Sequence, residues 1–213
     1  MANSTEAEGV IKFRLDFRQS GPLDFRKLEA LEACRQRFRA LGLIGGNEPD
    51  RYEGLGFGNI SHRLAPGSEA FVVSGTQTGH LESMGAEGYA LVTGCDPERN
   101  SLAAEGLIKP SSEAMTHAVI YRELPSVQAV IHVHSPEIWN RADELGLPQT
   151  ARDVPYGTLE MAAEMRRIIA SGMGGWHTIS MAGHEDGIIT WGATLDEAAR
   201  ELESLQRQAV SDR

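Results

Sequence analysis

Residues 129–139 read AVIHVHSPEIW. Ala129, Val130, Ile131 and Val133 form an apolar, largely β-branched run of the kind that fills a buried strand. Ser135 and Pro136 then supply a helix N-cap and a proline at the first helical position, so a helix should start directly after the strand. Two imidazoles interrupt the run. Burying one without a partner costs roughly 1–3 kcal/mol per unsatisfied group, so something must compensate. Side chains alternate across a strand, which puts His132 and His134 on one face. An H-x-H pair so placed presents two nitrogens to a divalent ion, and imidazole suits zinc and its first-row neighbours. Two core histidines satisfied by backbone groups are the alternative reading.

Outward from this stretch, helices and strands interleave. SSEAMTHAVIYREL (111–124) reads as a helix leading into the strand, and further strands are expected at GNISHRL (58–64), AFVVSG (70–75) and YALVTG (89–94). IKFRLDFR (11–18) alternates apolar and charged residues, as a half-buried strand does. From Asp24, DFRKLEALEACRQRFRALGL has helical spacing, with Leu28, Leu31, Phe38 and Leu41 as core contacts and Gly42 or Gly45 near its end. Downstream come a helix over about 158–170, strands at TISMAG (178–183) and GIITWG (187–192), and a last helix from TLDEAARELESLQRQAV (194–210). Several strands are joined by short turns, which argues for a layered α/β domain with a mixed or antiparallel sheet. No repeat, low-complexity tract or interdomain linker divides the chain, so a single domain over 1–213 is expected, with a strand extension at about 10–20.

Composition narrows the function classes. The 213 residues carry 20 Lys plus Arg against 30 Asp plus Glu, a net charge of −10. An acidic chain lacks the basic footprint of a nucleic-acid or anionic-membrane partner. A small anionic substrate remains compatible, because helix N-termini and backbone amides bind phosphate without net positive charge. Cys34 and Cys95 have no metal-ligand spacing; Cys34 falls in a helical pattern as a small core residue, and a reducing cytoplasm fits. The opening MANSTEAEGV is polar and acidic, unlike a secretory signal, and no apolar stretch approaches the ~20 residues of a membrane span.

Other H-x-H frameworks do not match. A cupin places its Glu three or four residues beyond the second His, whereas Glu137 follows His134 with two residues between. HVHSPE is not the H-x-H-x-D-H of metallo-β-lactamases, and a metal-dependent barrel needs about 250 residues. The stretch KPSSEAMTHAVIYRELPSVQAVIHVHSP (109–136) is more informative. Ser111-Ser112-Glu113 opens a helix, Tyr121 lies near its end, Pro125 turns the chain, and a strand ends in His132-Val133-His134. Gly58-Asn59-Ile60-Ser61 and Ser74-Gly75 stand earlier; His184 stands later, before Gly187 and another strand. This order, over about residues 24–205, resembles the class II aldolase/adducin family, whose reference member is L-fuculose-1-phosphate aldolase.

The resemblance implies a three-layer α/β/α fold around a central mixed or antiparallel sheet. It implies that His132, His134 and His184 ligate Zn2+, or Mn2+, Fe2+ or Co2+, with His177 as a nearby substitute for His184. Glu113 would be the catalytic base and in some states a fourth ligand; a plain capping-box acid is its alternative. His117, four residues on, is expected behind the ligands or in a structural role. Gly58, Asn59, Ser74, Gly75, Ser111 and Ser112 match the family's phosphate-binding positions, where small residues let the backbone approach and a helix N-terminus favours an anion. The implied activity is that of a metal-dependent lyase on a small sugar phosphate or hydroxy-carbonyl compound, with aldol cleavage foremost and dehydration, epimerisation or decarboxylation related to it. A non-enzymatic scaffold like the adducin head is the alternative. The family also implies a homotetramer, to which Trp139 and Trp191 lend weak support. Two departures stand out. The segment between His134 and Tyr156, where family aldolases carry a donor tyrosine, is shortened, and His184-Glu185-Asp186-Gly187 places two acids where the family tends to write His-Gly.

Overall fold

The computed structural model describes residues 9–48 and 51–211; the polar N-terminal stretch read above falls mostly on residues 1–8, outside them. Strands β1 (Arg14–Gln19), β2 (Asn59–Arg63), β3 (Phe71–Ser74), β4 (Tyr89–Asp96), β5 (Ser101–Gly106), β6 (Ala129–His134), β7 (Thr178–Ser180) and β8 (Gly187–Gly192) form one sheet in the order β1-β5-β4-β3-β2-β6-β8-β7. All neighbours are antiparallel except β1 and β5, so the sheet is mixed. Helices α2 (Ala114–Glu123) and α4 (Leu159–Ala170) cover one face, while α1 (Leu28–Ala40), α3 (Pro136–Asn140) and α5 (Leu195–Ser211) cover the other. This is the three-layer α/β/α arrangement that the resemblance implies. No helix among the described residues is long and apolar enough to cross a membrane.

Alternation on β6 divides the two cores. Ile131 and Val133 face the α1/α3/α5 layer, whereas Val130 faces α2 and α4. His132 and His134 therefore point to the α2 side. Ser135 caps α3 by accepting from the Ile138 amide (3.2 Å), with Pro136 at the first helical position, as the sequence indicates. On α5, Ala198, Ala199, Leu202, Leu205 and Ala209 make the single buried stripe of an amphipathic helix.

The structure corrects the sequence reading in three places. Helix α1 begins at Leu28, not Asp24, after a turn closed by the Leu28 amide on the Phe25 carbonyl (3.0 Å). Leu41 is 53% exposed: Gly42 turns the chain at φ +70°, the Leu43 amide bonds the Phe38 carbonyl, and Leu43 and Ile44 enter the core instead. Strand β5, SLAAEG, was not anticipated because its Ala, Ser and Gly carry little strand preference. Pairing imposes it. Pro97–Arg99 and left-handed Asn100 close a hairpin onto β4, and β1 adds along the outer edge.

Candidate metal centre

The sheet register builds the site. His132 lies opposite Asn59 of β2 and Ile189 of β8, and His134 lies opposite Gly187. The third histidine comes from the tight turn between β7 and β8, closed by bonds from the His184 amide to the Met181 carbonyl (2.8 Å) and from the Gly187 amide to the His184 carbonyl (2.9 Å). A Cβ at Gly187 would sit 3.1 Å from His184 Nδ1, so glycine there makes room for the imidazole. The ring centroids of His132, His134 and His184 lie 4.7 to 5.2 Å apart, and one nitrogen from each falls within 4.8 Å of the others. All three rings are buried. His177 is exposed and stands outside this group.

Glu113 precedes the first turn of α2 but makes no capping bond there. Its carboxylate instead turns into the histidine cluster, with Oε2 at 2.6 Å from His132 Nε2 and Oε1 at 3.1 Å from His184 Nδ1. Asn59 Nδ2 donates to Oε2 from β2 (3.3 Å). Burial opposes ionisation of Glu113, but the adjacent His132 and His184 override it and hold the carboxyl well below its usual range. Burial, then the neighbouring His184 and His132, keeps His134 well below the ordinary imidazole range and hence neutral. His132 Nδ1 donates to the Ile188 carbonyl at 3.1 Å, which fixes the ring with Nε2 aimed into the cluster. Three buried imidazoles with donor nitrogens within 4.8 Å of one another, and a carboxylate against two of them, fit a zinc-type ion, whose ligand nitrogens stand about 3.4 Å apart in a tetrahedron of ~2.0–2.1 Å bonds.

Behind Glu113, His117 Nδ1 and Ser61 Oγ lie 2.7 Å apart, and Ser61 Oγ and the Tyr121 hydroxyl 2.8 Å apart. Burial pushes His117 down to about 3, so it is a neutral link between β2 and α2. The expected phosphate positions also converge. The Ser74 hydroxyl accepts from the Ile60 amide (3.1 Å), the Ser111 amide bonds the Ser74 carbonyl (3.1 Å), and Gly75 bridges Pro110. Ser111 and Ser112 are buried beside Glu113, whose amide donates to Ser111 Oγ (3.3 Å). Gly58 has φ +73°, and a Cβ there would meet Ile44 at 2.8 Å and the His132 carbonyl at 3.2 Å, a close approach that favours glycine.

A family model for the class II aldolase and adducin N-terminal domain matches residues 50–210. The chain belongs to this family. It is 30% identical over 174 residues to a methylthioribulose-1-phosphate dehydratase of Methylococcus capsulatus, covering 70% of this chain and 78% of that protein. A shorter match, 35% over 79 residues, joins it to a probable L-ribulose-5-phosphate 4-epimerase of Mycoplasma pneumoniae, covering 37% and 30%. In fold it is similar to a solved L-fuculose 1-phosphate aldolase, with a TM-score of 0.66, 19% identity and coverage of 88% and 85%.

Against this family background the departures acquire definite positions. Tyr156 stacks on His184 (centroids 4.6 Å apart), and its hydroxyl accepts from the Val10 amide (3.1 Å). Glu185 is exposed, while Asp186 accepts from the Tyr52 hydroxyl (2.5 Å). Sequence reading missed Tyr52 altogether. Its ring meets His134 edge-on at 4.6 Å, Phe57 packs on His134 at 5.3 Å, and Arg51 donates to the His134 carbonyl (3.0 Å). Burial, then its bond to Asp186, pushes the Tyr52 hydroxyl up, so it stays protonated as a donor. The one signal for these residues was their nearness to Gly58-Asn59. Trp191 is core, and Trp139 donates to the Met181 carbonyl (3.2 Å).

Proposed function

We propose that this chain is a metal-dependent lyase that removes water from a small ketose phosphate, using His132, His134 and His184 as metal ligands and Glu113 as the proton carrier. The observation that carries the reading is Glu113. Its fully buried carboxylate reaches two of the three clustered histidines instead of capping its own helix. A bound divalent ion would supply Lewis acidity, drawing electron density from a substrate carbonyl. Glu113 takes the proton from the carbon beside that carbonyl, and the hydroxyl one carbon further departs. Handing the captured proton to that hydroxyl releases water and regenerates the carboxylate, and the enol left behind becomes a ketone. Asn59 keeps Glu113 aimed, and Gly58, Asn59, Ser74, Gly75, Ser111 and Ser112 receive the phosphate. The dehydratase relative supports elimination over aldol cleavage.

The test is turnover of methylthioribulose 1-phosphate by protein loaded with zinc, manganese, iron or cobalt, followed by NMR in heavy water. Dehydration that stops with a chelator and returns with metal is expected, with poor cleavage of fuculose 1-phosphate. Glu113→Gln should lower kcat about 10²–10⁴-fold while the metal content is retained. Efficient turnover by that variant, or none of any ketose phosphate with any of these metals, would refute the proposal.

A further inference from the structure

The family match begins at residue 50, so the segment before β1 lies outside it. This arm nevertheless touches the Gly75 loop of the proposed phosphate subsite and a second loop, Tyr156-Gly157, that packs on Ser112. At the Gly75 loop, Thr76 Oγ1 donates to the Gly9 carbonyl (3.4 Å), and a Cβ on Gly9 would fall 1.6 Å from Gln77 Nε2. At the other loop, the Val10 amide donates to Tyr156, and Lys12 Nζ sits 3.9 Å over the Tyr156 ring. A Cβ on Gly157 would meet the Ser112 carbonyl at 3.4 Å and Lys12 Cβ at 3.6 Å, so Lys12 and Ser112 flank the same glycine. Asn100 fixes the Lys12 backbone by donating to its carbonyl (3.1 Å).

We infer that Lys12 is a specificity-determining residue, the cation that this arm adds to the phosphate end of the site; the inference rests on the function proposed above. The six expected phosphate positions carry neutral side chains, in a chain of net charge −10. A phosphate dianion held by the amides and hydroxyls of these six positions would face that field without a counter-charge among them. Lys12 is a point charge on a flexible four-carbon stem, suited to phosphate, and the aromatic ring beneath it keeps it at one edge of the subsite. Tyr156 in turn stacks on His184, so the same ring links the cation to the metal cluster.

Inorganic phosphate serves as the probe, titrated into the full chain by calorimetry and followed by KM and kcat with methylthioribulose 1-phosphate. Lys12→Met should weaken phosphate binding roughly 10- to 100-fold, the effect of one lost charge-assisted contact. KM should rise with it while kcat holds, and Lys12→Arg should restore both. Ser112→Ala is the control for the subsite. If it abolishes phosphate binding while Lys12→Met binds like the wild type, Lys12 has no such role and the proposed function stands. If Lys12→Met weakens binding but Ser112→Ala does not, the anion lies elsewhere and the inference fails. A wild-type chain that binds no phosphate overturns the inference and the phosphate part of the proposed function together.

Discussion

Replacing Arg35 with Met tests how α1 holds the loop that follows the Ser74-Gly75 turn. Arg35, with 1% of its side chain exposed, donates twice to the Glu32 carboxylate (2.8 Å each) and reaches the carbonyls of Leu81 (2.9 Å) and Glu82 (3.2 Å). Glu32 also accepts from the Tyr89 hydroxyl (2.5 Å), Gln36 (2.9 Å) and the Met84 amide (2.9 Å). Methionine keeps the stem but leaves a buried carboxylate without its counter-ion and two carbonyls without a donor. Breaking one partner of a buried, hydrogen-bonded pair costs about 3–5 kcal/mol. The pH dependence has a definite sign. Burial raises the Glu32 pKa, but the bonds from Arg35, Tyr89 and Met84 outweigh it and leave the carboxyl below its ordinary 4.5. A lowered folded value means that the stabilisation is complete above about pH 4.5 and is lost as pH falls through the folded pKa. Urea unfolding at fixed protein concentration should therefore show the widest gap between wild type and Arg35→Met at pH 7, narrowing in acid. A gap under ~1 kcal/mol at pH 7, the value of an exposed pair, or one indifferent to pH, would refute the reasoning.

Three further outcomes follow from the site. His134→Ala should abolish binding of one zinc, manganese, iron or cobalt ion per chain while the circular dichroism stays that of a folded domain; retained metal would remove His134 from the ligand set. Tyr52→Phe keeps the ring on His134 but deletes the bond to Asp186, so cobalt affinity should fall about tenfold with altered visible absorption bands, whereas an unchanged spectrum and affinity would make the bond irrelevant to the metal. Light scattering at micromolar concentration should give a homo-oligomer, most simply a tetramer, and a monomer would contradict the assembly that the family resemblance implies.

Much of the fold could be read because local periodicity carries it. The alternation of His132 and His134 with Ile131 and Val133 assigned two faces of one strand, and the structure uses one for the histidine cluster and the other for the core. Ser135-Pro136 placed the start of α3 from a cap alone. Strand β5 was hidden because its residues are indifferent to strand geometry and only pairing with β4 and β1 decides them. Leu41 misled for the opposite reason: its helical spacing is correct, but the helix ends one residue before it, at Ala40, and Gly42 turns the chain away.

The surroundings of the site were illegible because they depend on contacts without a period. Tyr52 and Glu53 lie in left-handed conformations in a stretch of mixed polarity, and nothing within a few residues of them points to His134. Tyr52 meets Asp186 across 134 positions of the chain. Read in sequence, Asp186 is an acid inserted beside a metal ligand and suggests added negative charge in the pocket. In three dimensions its carboxylate accepts a proton donor from the loop before β2, and its carbonyl accepts from the Ser135 amide (2.8 Å) directly after His134. Asp186 thus joins the turn that carries His184 to the strand that carries His134. Asp186 therefore holds two elements of the histidine cluster together, and under the function proposed above its loss should be felt first in metal affinity and only afterwards in the chemistry.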